Sequence, residues 1–259
     1  MKLPQLNRLE LEIIDKTIAV LTFNIPEKLN ALGADAHEDL HSFVDLLQRE
    51  PAVRVGVIRS AVKKAFMAGT DITGFSEAPF PPNRLREAID RIENCPKPVI
   101  AAIGGYCLGG GVELAMGCDI RILADTATLA LPEVGLGIMP GAGGIQRLAR
   151  VAGMGVAKEL ALTARRISAE EAYAKGLAAM VVPFDALWDE TLKLARRVAA
   201  QAPAALALVK QSANLALDTD RATAAAFERW GAAFISTTAD AAEGKRAFIE
   251  KRPPVFTGA

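Results

Sequence analysis

Strand-like and helix-like segments alternate along most of this chain, and their order constrains the fold more than any other feature. Two strand-like runs at 9–15 and 17–24 precede a helix-period stretch at 35–48, and an apolar run at 53–58 follows it. The same order recurs after the prolines at 79–82, with a helical segment, the strand-like VIAAI, the short apolar helix VELAM and the strand-like IRILA. Such alternation is typical of an α/β protein.

The last part of the chain has a different pattern. From about residue 156 the sequence is alanine-rich with a helical period, and its clearest helices are predicted at 187–200, 204–217 and 222–236. No Gly-Ser or proline-rich linker separates the two parts. We therefore predict an α/β core over 1–195 and a C-terminal helical region over 196–259.

Charge and cysteine content narrow the possible partners and the compartment. Thirty basic residues balance thirty acidic ones without long blocks of either sign, which argues against nucleic acid or a membrane surface as a partner. The three cysteines lack metal-ligand spacing and lie in or beside apolar text, which predicts buried, reduced thiols. The first residues carry no pattern of a signal or transit peptide, so we expect a cytoplasmic protein. The apolar stretch 99–118 contains Glu113 and six glycines, which predicts a buried core segment rather than a membrane span.

One histidine motif invites a metal hypothesis. Residues 37–41 match the pattern H-E-x-x-H, whose two histidines, here His37 and His41, lie one helical turn apart and can bind zinc. They are the only histidines in the chain, so a third ligand would have to be a carboxylate. The apolar residues of this segment define a core face, and we expect an amphipathic helix with both histidines on its polar flank and no metal.

Glycine clusters and two glutamates are the other candidates for chemistry. The clusters at 104–105, 109–111 and 141–144 match neither a dinucleotide fingerprint nor a phosphate-binding loop. Glycines 109–111 directly precede VELAM, so backbone N–H groups at a helix start could hold a developing oxyanion, or the glycines could merely allow close packing. Glu113 and Glu133 both lie in apolar, glycine-rich text, where carboxyls with altered pKa could share acid and base chemistry. The alternative is that each glutamate caps a helix or forms a salt bridge with an arginine such as Arg121 or Arg147.

Beyond these patterns, the string GGYCLGGGVELAMGCD at 104–119 resembles the signature of the crotonase superfamily, the enoyl-CoA hydratase and isomerase group. PEKLNAL at 26–32, AFMAGTDI at 65–72, PEVGLGIMPGAGGIQR at 132–147, ISAEEAYAKGL at 167–177 and EGKRAFIEKRP at 243–253 resemble further motifs of the family in the expected order. The resemblance thus spans nearly the whole chain. It implies a crotonase-like α/β spiral of repeated strand-strand-helix units, a C-terminal helical trimerisation region and a homotrimer or dimer of trimers.

The same resemblance implies a function. It implies a lyase of fatty acid metabolism that adds water across the 2,3 double bond of a 2-enoyl-CoA, with coenzyme A as part of the substrate and no further cofactor. Glu113 and Glu133 are then the catalytic acids, and the backbone N–H groups of Thr70 and Gly110 form the oxyanion hole. The residues implied in substrate binding are Lys28, Ala68, Asp71, Ile72, Phe248 and Lys251, the last two through a neighbouring subunit.

Two rivals share the scaffold. Enoyl-CoA isomerisation needs the same enolate and a proton shuttle but no bound water. A non-catalytic assembly protein would keep the oligomer without any activity on acyl-CoA thioesters. Glutamates at both 113 and 133 favour the hydratase, because isomerases of the family often keep only one acid there.

Overall fold

The larger of two sheets organises the fold. A computed structural model of the protein describes residues 3–71 and 83–259. In order across this sheet, the strands are β1 (Glu10–Ile14), β2 (Ile18–Phe23), β3 (Val55–Ser60), β5 (Val99–Ile103), β7 (Ile120–Ala124) and β10 (Met180–Val182). Only the β1–β2 pair is antiparallel. The continuous apolar text of β2 and β5 follows from burial of every residue in both strands.

A second, smaller sheet runs beside the first. Its strands, in order, are β4 (Ala65–Met67), β6 (Tyr106–Leu108), β8 (Thr128–Ala130) and β9 (Ile167–Ser168). The first three are parallel and the last is antiparallel to β8. These strands have two or three residues each, too few for a period-2 pattern, which is why the sequence did not reveal them.

Ten α-helices complete the described part of the chain. They are α1 (Ala34–Arg49), α2 (Arg84–Asn94), α3 (Gly110–Gly117), α4 (Gly144–Ala152), α5 (Met154–Thr163), α6 (Ala169–Ala174), α7 (Leu187–Ala199), α8 (Pro203–Leu215), α9 (Arg221–Ile235) and α10 (Ala239–Ile249). Short 3-10 helices lie at Pro26–Lys28, Glu133–Leu136 and Phe184–Ala186.

The chain repeats one structural unit. Strand β3 in the large sheet, β4 in the small sheet and helix α2 form one turn, and β5, β6 and α3 form the next. Strands β7 and β8, followed by α4, begin a third. Because each strand of the large sheet pairs in parallel with the equivalent strand of the next turn, the chain advances as a spiral. The predicted α/β spiral of strand-strand-helix units, followed by C-terminal helices, is confirmed.

Helix α7 covers one face of the large sheet. Its buried residues Thr191, Ala195 and Ala199 face the sheet, and the two alanines join a cluster with Ile18 and Val55. The main core lies on the opposite face and extends beneath α1, α2 and α3. Helix α7 runs across residue 195, so the division of the chain at that residue stays a prediction.

Buried polar contacts attach α8 to the spiral. Lys210 is 7% exposed, and its Nζ donates to Asp119 Oδ2 at 2.8 Å and to the carbonyl of Ile92 at 2.9 Å. Asp119 also accepts the N–H of Val99 at 2.7 Å, so this ion pair ties α8 to the beginning of β5. Helices α8 and α9 pack against each other.

Two further expectations concern burial. All three cysteines are free thiols and buried, as predicted. Within 3–71 and 83–259, no helix has the length and apolar content that a membrane crossing requires. The stretch 99–118 contains β5, β6 and the whole of α3, and is largely buried in the core.

Candidate active site

The glycine-rich turn before α3 brings backbone N–H groups to the surface of the core. Gly109 has φ of 53°, a left-handed conformation that favours glycine, and its own N–H donates to Ala130 at 2.9 Å. A methyl group built on Gly111 would lie 2.4 Å from the carbonyl oxygen of Met67, so close packing requires glycine there. The N–H of Gly110 lies in the first turn of α3, where backbone donors lack helical partners. It has no acceptor among the described residues.

Thr70 presents a second backbone donor beside the first. Leu32 forms hydrogen bonds with the residues on either side of Thr70: its N–H donates to the carbonyl of Gly69, and its carbonyl accepts the N–H of Asp71. This pairing leaves the N–H of Thr70 unused, and it has no acceptor in the described part of the chain. A methyl group on Gly110 would lie 3.1 Å from Thr70 Oγ1, so the two residues are adjacent. Two neighbouring N–H groups can stabilise the oxygen of a thioester enolate.

Glu113 lies in the first turn of α3 and is 4% exposed. Its Oε1 accepts the N–H groups of Ala142 at 2.7 Å and Gly144 at 3.0 Å, where α4 begins. Burial raises the pKa of this carboxyl, while the two N–H donors and the charges of Arg147 and Arg86 act in the opposite direction. Burial is the largest of these effects, so the pKa of Glu113 lies above its ordinary value, and the N–H donors and the two arginines limit the rise.

Glu133 begins the 3-10 helix that follows β8 and is 8% exposed. Its Oε1 would lie 2.8 Å from a methyl group on Gly109, which places the carboxyl against the glycine turn. Its buried Oε2 has no hydrogen-bond partner among the described residues. Burial, with a smaller contribution from the charge of Glu113, raises the pKa of Glu133 to about 7. This carboxyl therefore holds a proton near neutral pH and can deliver it.

The charge of Glu113 acts on Glu133, so the two carboxyls lie near each other, but they differ in hydrogen-bond partners: Glu113 accepts two N–H groups, whereas one oxygen of Glu133 has none among the described residues. Such a pair can take a proton from one group and give a proton to another. The neighbouring N–H groups of Thr70 and Gly110 add a site for developing negative charge. Neither glutamate forms a salt bridge in the described structure: Arg121 donates to three backbone carbonyls, and Arg147 pairs with Asp90 and Glu93.

Comparison with known proteins identifies the family of the chain. The model of the family described as enoyl-CoA hydratase/isomerase matches residues 13–259. The chain belongs to the enoyl-CoA hydratase/isomerase family. A short-chain-enoyl-CoA hydratase from Clostridium acetobutylicum is 40% identical over 253 residues, covering 96% of this chain and 97% of that protein.

Other members of the family are similar over the same length. The mitochondrial methylglutaconyl-CoA hydratase of Mus musculus is 40% identical over 258 residues, covering 96% of this chain and 82% of that protein. A crystal structure of an enoyl-CoA hydratase from Bacillus anthracis superposes with a TM-score of 0.93 at 35% identity, covering 98% of this chain and all of that one. The family and the fold predicted from the sequence are confirmed.

The residues predicted to bind substrate divide into two groups. Lys28 ends a 3-10 helix, and its Nζ lies 2.5 Å from Asp71 Oδ2, directly after Thr70. The N–H of Ala68 donates to Leu29 at 3.1 Å, so Lys28, Ala68 and Asp71 form one edge beside the Thr70 donor.

The second group lies elsewhere. Phe248 is 85% exposed near the end of α10, and Lys251 is exposed just after it. Within the described part of the chain, neither residue contacts Glu113 or Glu133, and the role of Phe248 and Lys251 in substrate binding stays a prediction. Ile72 lies outside the described residues.

The histidines are not on a polar flank. That prediction is wrong, because α2 packs against this side of α1 and both side chains are only 8% exposed. His41 lies between Arg91, whose Nη1 is 2.9 Å from Nδ1, and the carbonyl of Arg84, 3.1 Å from Nε2. Burial lowers the pKa of His37. No cluster of three potential metal ligands occurs in the part of the chain that the structure describes.

Sequence reasoning missed how the site is supported. It noted the glycine cluster at 141–144 but did not assign its backbone donors to Glu113. It also missed Asn30, which is fully buried in a left-handed conformation and whose amide donates to Ser60, Ala65 and Phe66. Asparagine is among the residues that tolerate this conformation, which is the one sequence indication that was available.

Proposed function

We propose that this chain hydrates a 2-enoyl-CoA to a 3-hydroxyacyl-CoA, with Glu113 and Glu133 as the catalytic pair. It is an enzyme of the lyase class. The observation that carries the assignment is the contrast between the two buried carboxyls: Glu113 accepts two N–H donors, while Glu133 has an unpartnered oxygen and a pKa of about 7. One carboxyl therefore accepts a proton while the other supplies one.

The proposed reaction moves one proton to Glu113 and one proton from Glu133. Water lies between the carboxyls, and Glu113 takes its proton as the oxygen attacks C3. The π electrons of the double bond move toward the thioester carbonyl, and the enolate oxygen accepts hydrogen bonds from the N–H groups of Thr70 and Gly110. Glu133 then gives its proton to C2, and the two carboxyls return to their starting states by exchange with solvent. The sequence of steps balances without a cofactor.

Lys28 and its neighbours are proposed to hold the coenzyme A portion. The Lys28 side chain is about half exposed and lies on the edge that leads to Thr70. A cation there suits the phosphate groups of the substrate. Ala68 and Asp71 belong to the same edge, and Ile72 is proposed to continue it.

We also propose that the protein assembles as a homotrimer or a dimer of trimers. Exposed apolar side chains on the C-terminal helices support assembly, among them Trp230 at 58%, Phe234 at 49% and Phe248 at 85% exposed. In such an assembly Phe248 and Lys251 would reach the substrate of a neighbouring subunit. Light scattering after gel filtration tests the subunit count, and a monomer at micromolar concentration would contradict it.

A cytoplasmic location is part of the proposal. Its support is the set of three buried, free thiols, which suits a reducing compartment. Fractionation of the native host cells with an antibody against the chain tests it.

The activity is tested with a panel of enoyl-CoA thioesters. The panel compares crotonyl-CoA, longer linear 2-enoyl-CoAs and 3-methylglutaconyl-CoA. A short-chain-enoyl-CoA hydratase and a methylglutaconyl-CoA hydratase are both 40% identical to this chain, so both substrate types are included. Loss of enone absorbance reports hydration, and mass analysis of the product separates addition of water from isomerisation of a 3-enoyl-CoA. Isomerisation without hydration would assign the chain to the rival reaction, and no turnover of any thioester would favour an assembly protein.

Substitution of the glutamates tests their assignment. We expect Glu113→Gln and Glu133→Gln each to lower kcat by about 100-fold or more, because each removes an acid-base group. Glu170→Gln is the matched control, since Glu170 is exposed on α6. Near-normal hydration by both active-site variants would reject the catalytic pair.

A further inference from the structure

The support of Glu113 comes from one short turn. Residues 142–144 join the loop after the 3-10 helix to α4, and Ala142 and Gly144 both donate to the same carboxylate oxygen. Gly143 between them has φ of 94°, so the turn adopts a conformation that is strained for other residues. Both donors exist only while this turn keeps its shape. Whatever holds the turn therefore controls the hydrogen bonding of Glu113.

Arg147 holds the same turn through its guanidinium. Its Nη1 donates to the carbonyl of Ala142 at 3.1 Å. A methyl group on Gly143 would lie 2.2 Å from the same Nη1, so the guanidinium packs directly across that glycine. The Arg147 side chain is 2% exposed, and Arg147 lies one turn after Gly143, which directly precedes α4.

The other edge of the guanidinium is fixed to α2. Nη2 donates to Asp90 Oδ1 at 2.7 Å and to Glu93 Oε2 at 2.6 Å, and Nε donates to the same oxygen of Glu93 at 3.2 Å. The planar fork of arginine can bond to the turn and to both carboxylates at once, whereas a lysine ammonium is a single point with no such geometry. Arg147 therefore joins α2 rigidly to the turn that donates to Glu113.

We infer that Arg147 is a positioning residue for the hydration reaction, holding the Ala142–Gly144 turn so that its two N–H groups stay aimed at Glu113. The inference rests on the proposed role of Glu113 as the ionised base. Without the hydrogen bond from Arg147 the turn relaxes and its two N–H groups move away from Glu113. The pKa of the buried Glu113 carboxyl then rises. Arg147 itself does not touch the substrate.

Other charges around Glu113 bear on the same ionisation. Glu133 faces it from the 3-10 helix, and Arg86 acts on it from α2. Asp90 and Glu93 form ion pairs with Arg147 and oppose the effect of its charge on Glu113. A variant that keeps the positive charge but not the fork therefore separates positioning from simple electrostatic attraction.

The test compares Arg147→Lys and Arg147→Met with Arg150→Met. Arg150 lies one turn further along α4 and pairs with Asp218 at the surface, so its loss is a control for removing an arginine from this helix. The pH dependence of kcat/KM for crotonyl-CoA hydration is measured for each. We expect the acid-limb midpoint to rise by about one pH unit in Arg147→Met and by a smaller amount in Arg147→Lys, with about tenfold lower activity on that limb. Arg150→Met should match the parent protein.

Three results would overturn the inference. The first is an unchanged acid-limb midpoint of kcat/KM in both Arg147 variants, and the second is a uniform loss of activity at every pH. The third is a rise of the midpoint in Arg147→Met with none in Arg147→Lys, which would mean that Arg147 acts on Glu113 through its charge alone. If Arg147→Met does not fold, as judged by circular dichroism and gel filtration, Arg147→Lys decides.

An infrared titration separates this inference from the proposed activity. The carboxyl C=O band of protonated Glu113, assigned by its loss in Glu113→Gln, is followed with pH in the parent and the Arg147 variants. A shifted titration supports this role of Arg147 even in a chain that hydrates no thioester tested, and an unshifted one rejects it.

Discussion

Replacement of Glu133 by glutamine should stabilise the protein at alkaline pH while removing its activity. Glu133 is 8% exposed, and burial raises its pKa from 4.5 to about 7. A folded-state pKa above the unfolded value means that the native protein binds the proton more tightly than the unfolded chain does. The contribution of Glu133 to the free energy of unfolding is therefore most favourable at low pH and is lost as the pH rises through about 7.

The magnitude follows from the two pKa values. At about 1.4 kcal/mol per pH unit, the gap between 4.5 and about 7 makes ionised Glu133 destabilising by about 3 kcal/mol near pH 8. Near pH 5, where the native carboxyl is still protonated, the same penalty is less than about 1 kcal/mol. Glutamine does not ionise, and any effect of burying its amide is the same at both pH values. The difference between the two pH values thus isolates the carboxyl.

Denaturant unfolding at equal protomer concentration measures this difference. We expect Glu133→Gln to gain about 2 kcal/mol more in unfolding free energy near pH 8 than near pH 5, relative to the parent protein. Glu170→Gln, an exposed substitution, should show no such pH dependence. Equal effects of Glu133→Gln at the two pH values would refute the reasoning that burial raises the proton affinity of Glu133.

Three further predictions concern the same structure. The rate kcat/KM should fall about tenfold per pH unit above about pH 7, since Glu133 must be protonated, and a flat profile to pH 9 would contradict this. Gly144→Ala would place a methyl group 2.8 Å from Glu113 Cγ and should lower kcat by about 100-fold with little change in KM for crotonyl-CoA, whereas unchanged kcat would argue against a fixed carboxylate. Lys210→Met should destabilise the protein by about 3 kcal/mol in denaturant unfolding, because Asp119 loses its buried partner, and a neutral result would mean that α8 does not depend on the pair.

Elements with long, regular patterns could be predicted from the sequence. The helix-period stretch at 35–48 corresponds to α1 at Ala34–Arg49, and VIAAI corresponds to β5. Helix α1 buries one face, which gives its sequence a helical period, and β5 is buried at every residue, which makes it a continuous apolar run. The strands of the small sheet could not be predicted, because two or three residues carry no period.

The histidine motif shows why local pattern can mislead. Polar residues on an amphipathic helix are expected to face solvent, but α2 covers the side of α1 that carries His37 and His41. Residues 43 to 50 positions away in the chain supply the partners of His41, the carbonyl of Arg84 and the guanidinium of Arg91. Contacts at such separation leave no trace in a helical period.

The sequence by itself determined the order of the longer strands and helices, the glycine-led start of α3 and the presence of two acids among apolar residues, because these follow from side-chain size, polarity and spacing within short windows. The tertiary structure alone decided that Glu113 accepts two N–H donors while Glu133 keeps an unpartnered oxygen. It also decided that Arg147 holds the turn whose N–H groups donate to Glu113. The proton affinity of a buried carboxyl depends on its desolvation and on donors about 30 residues away in the chain, and only folding brings these together.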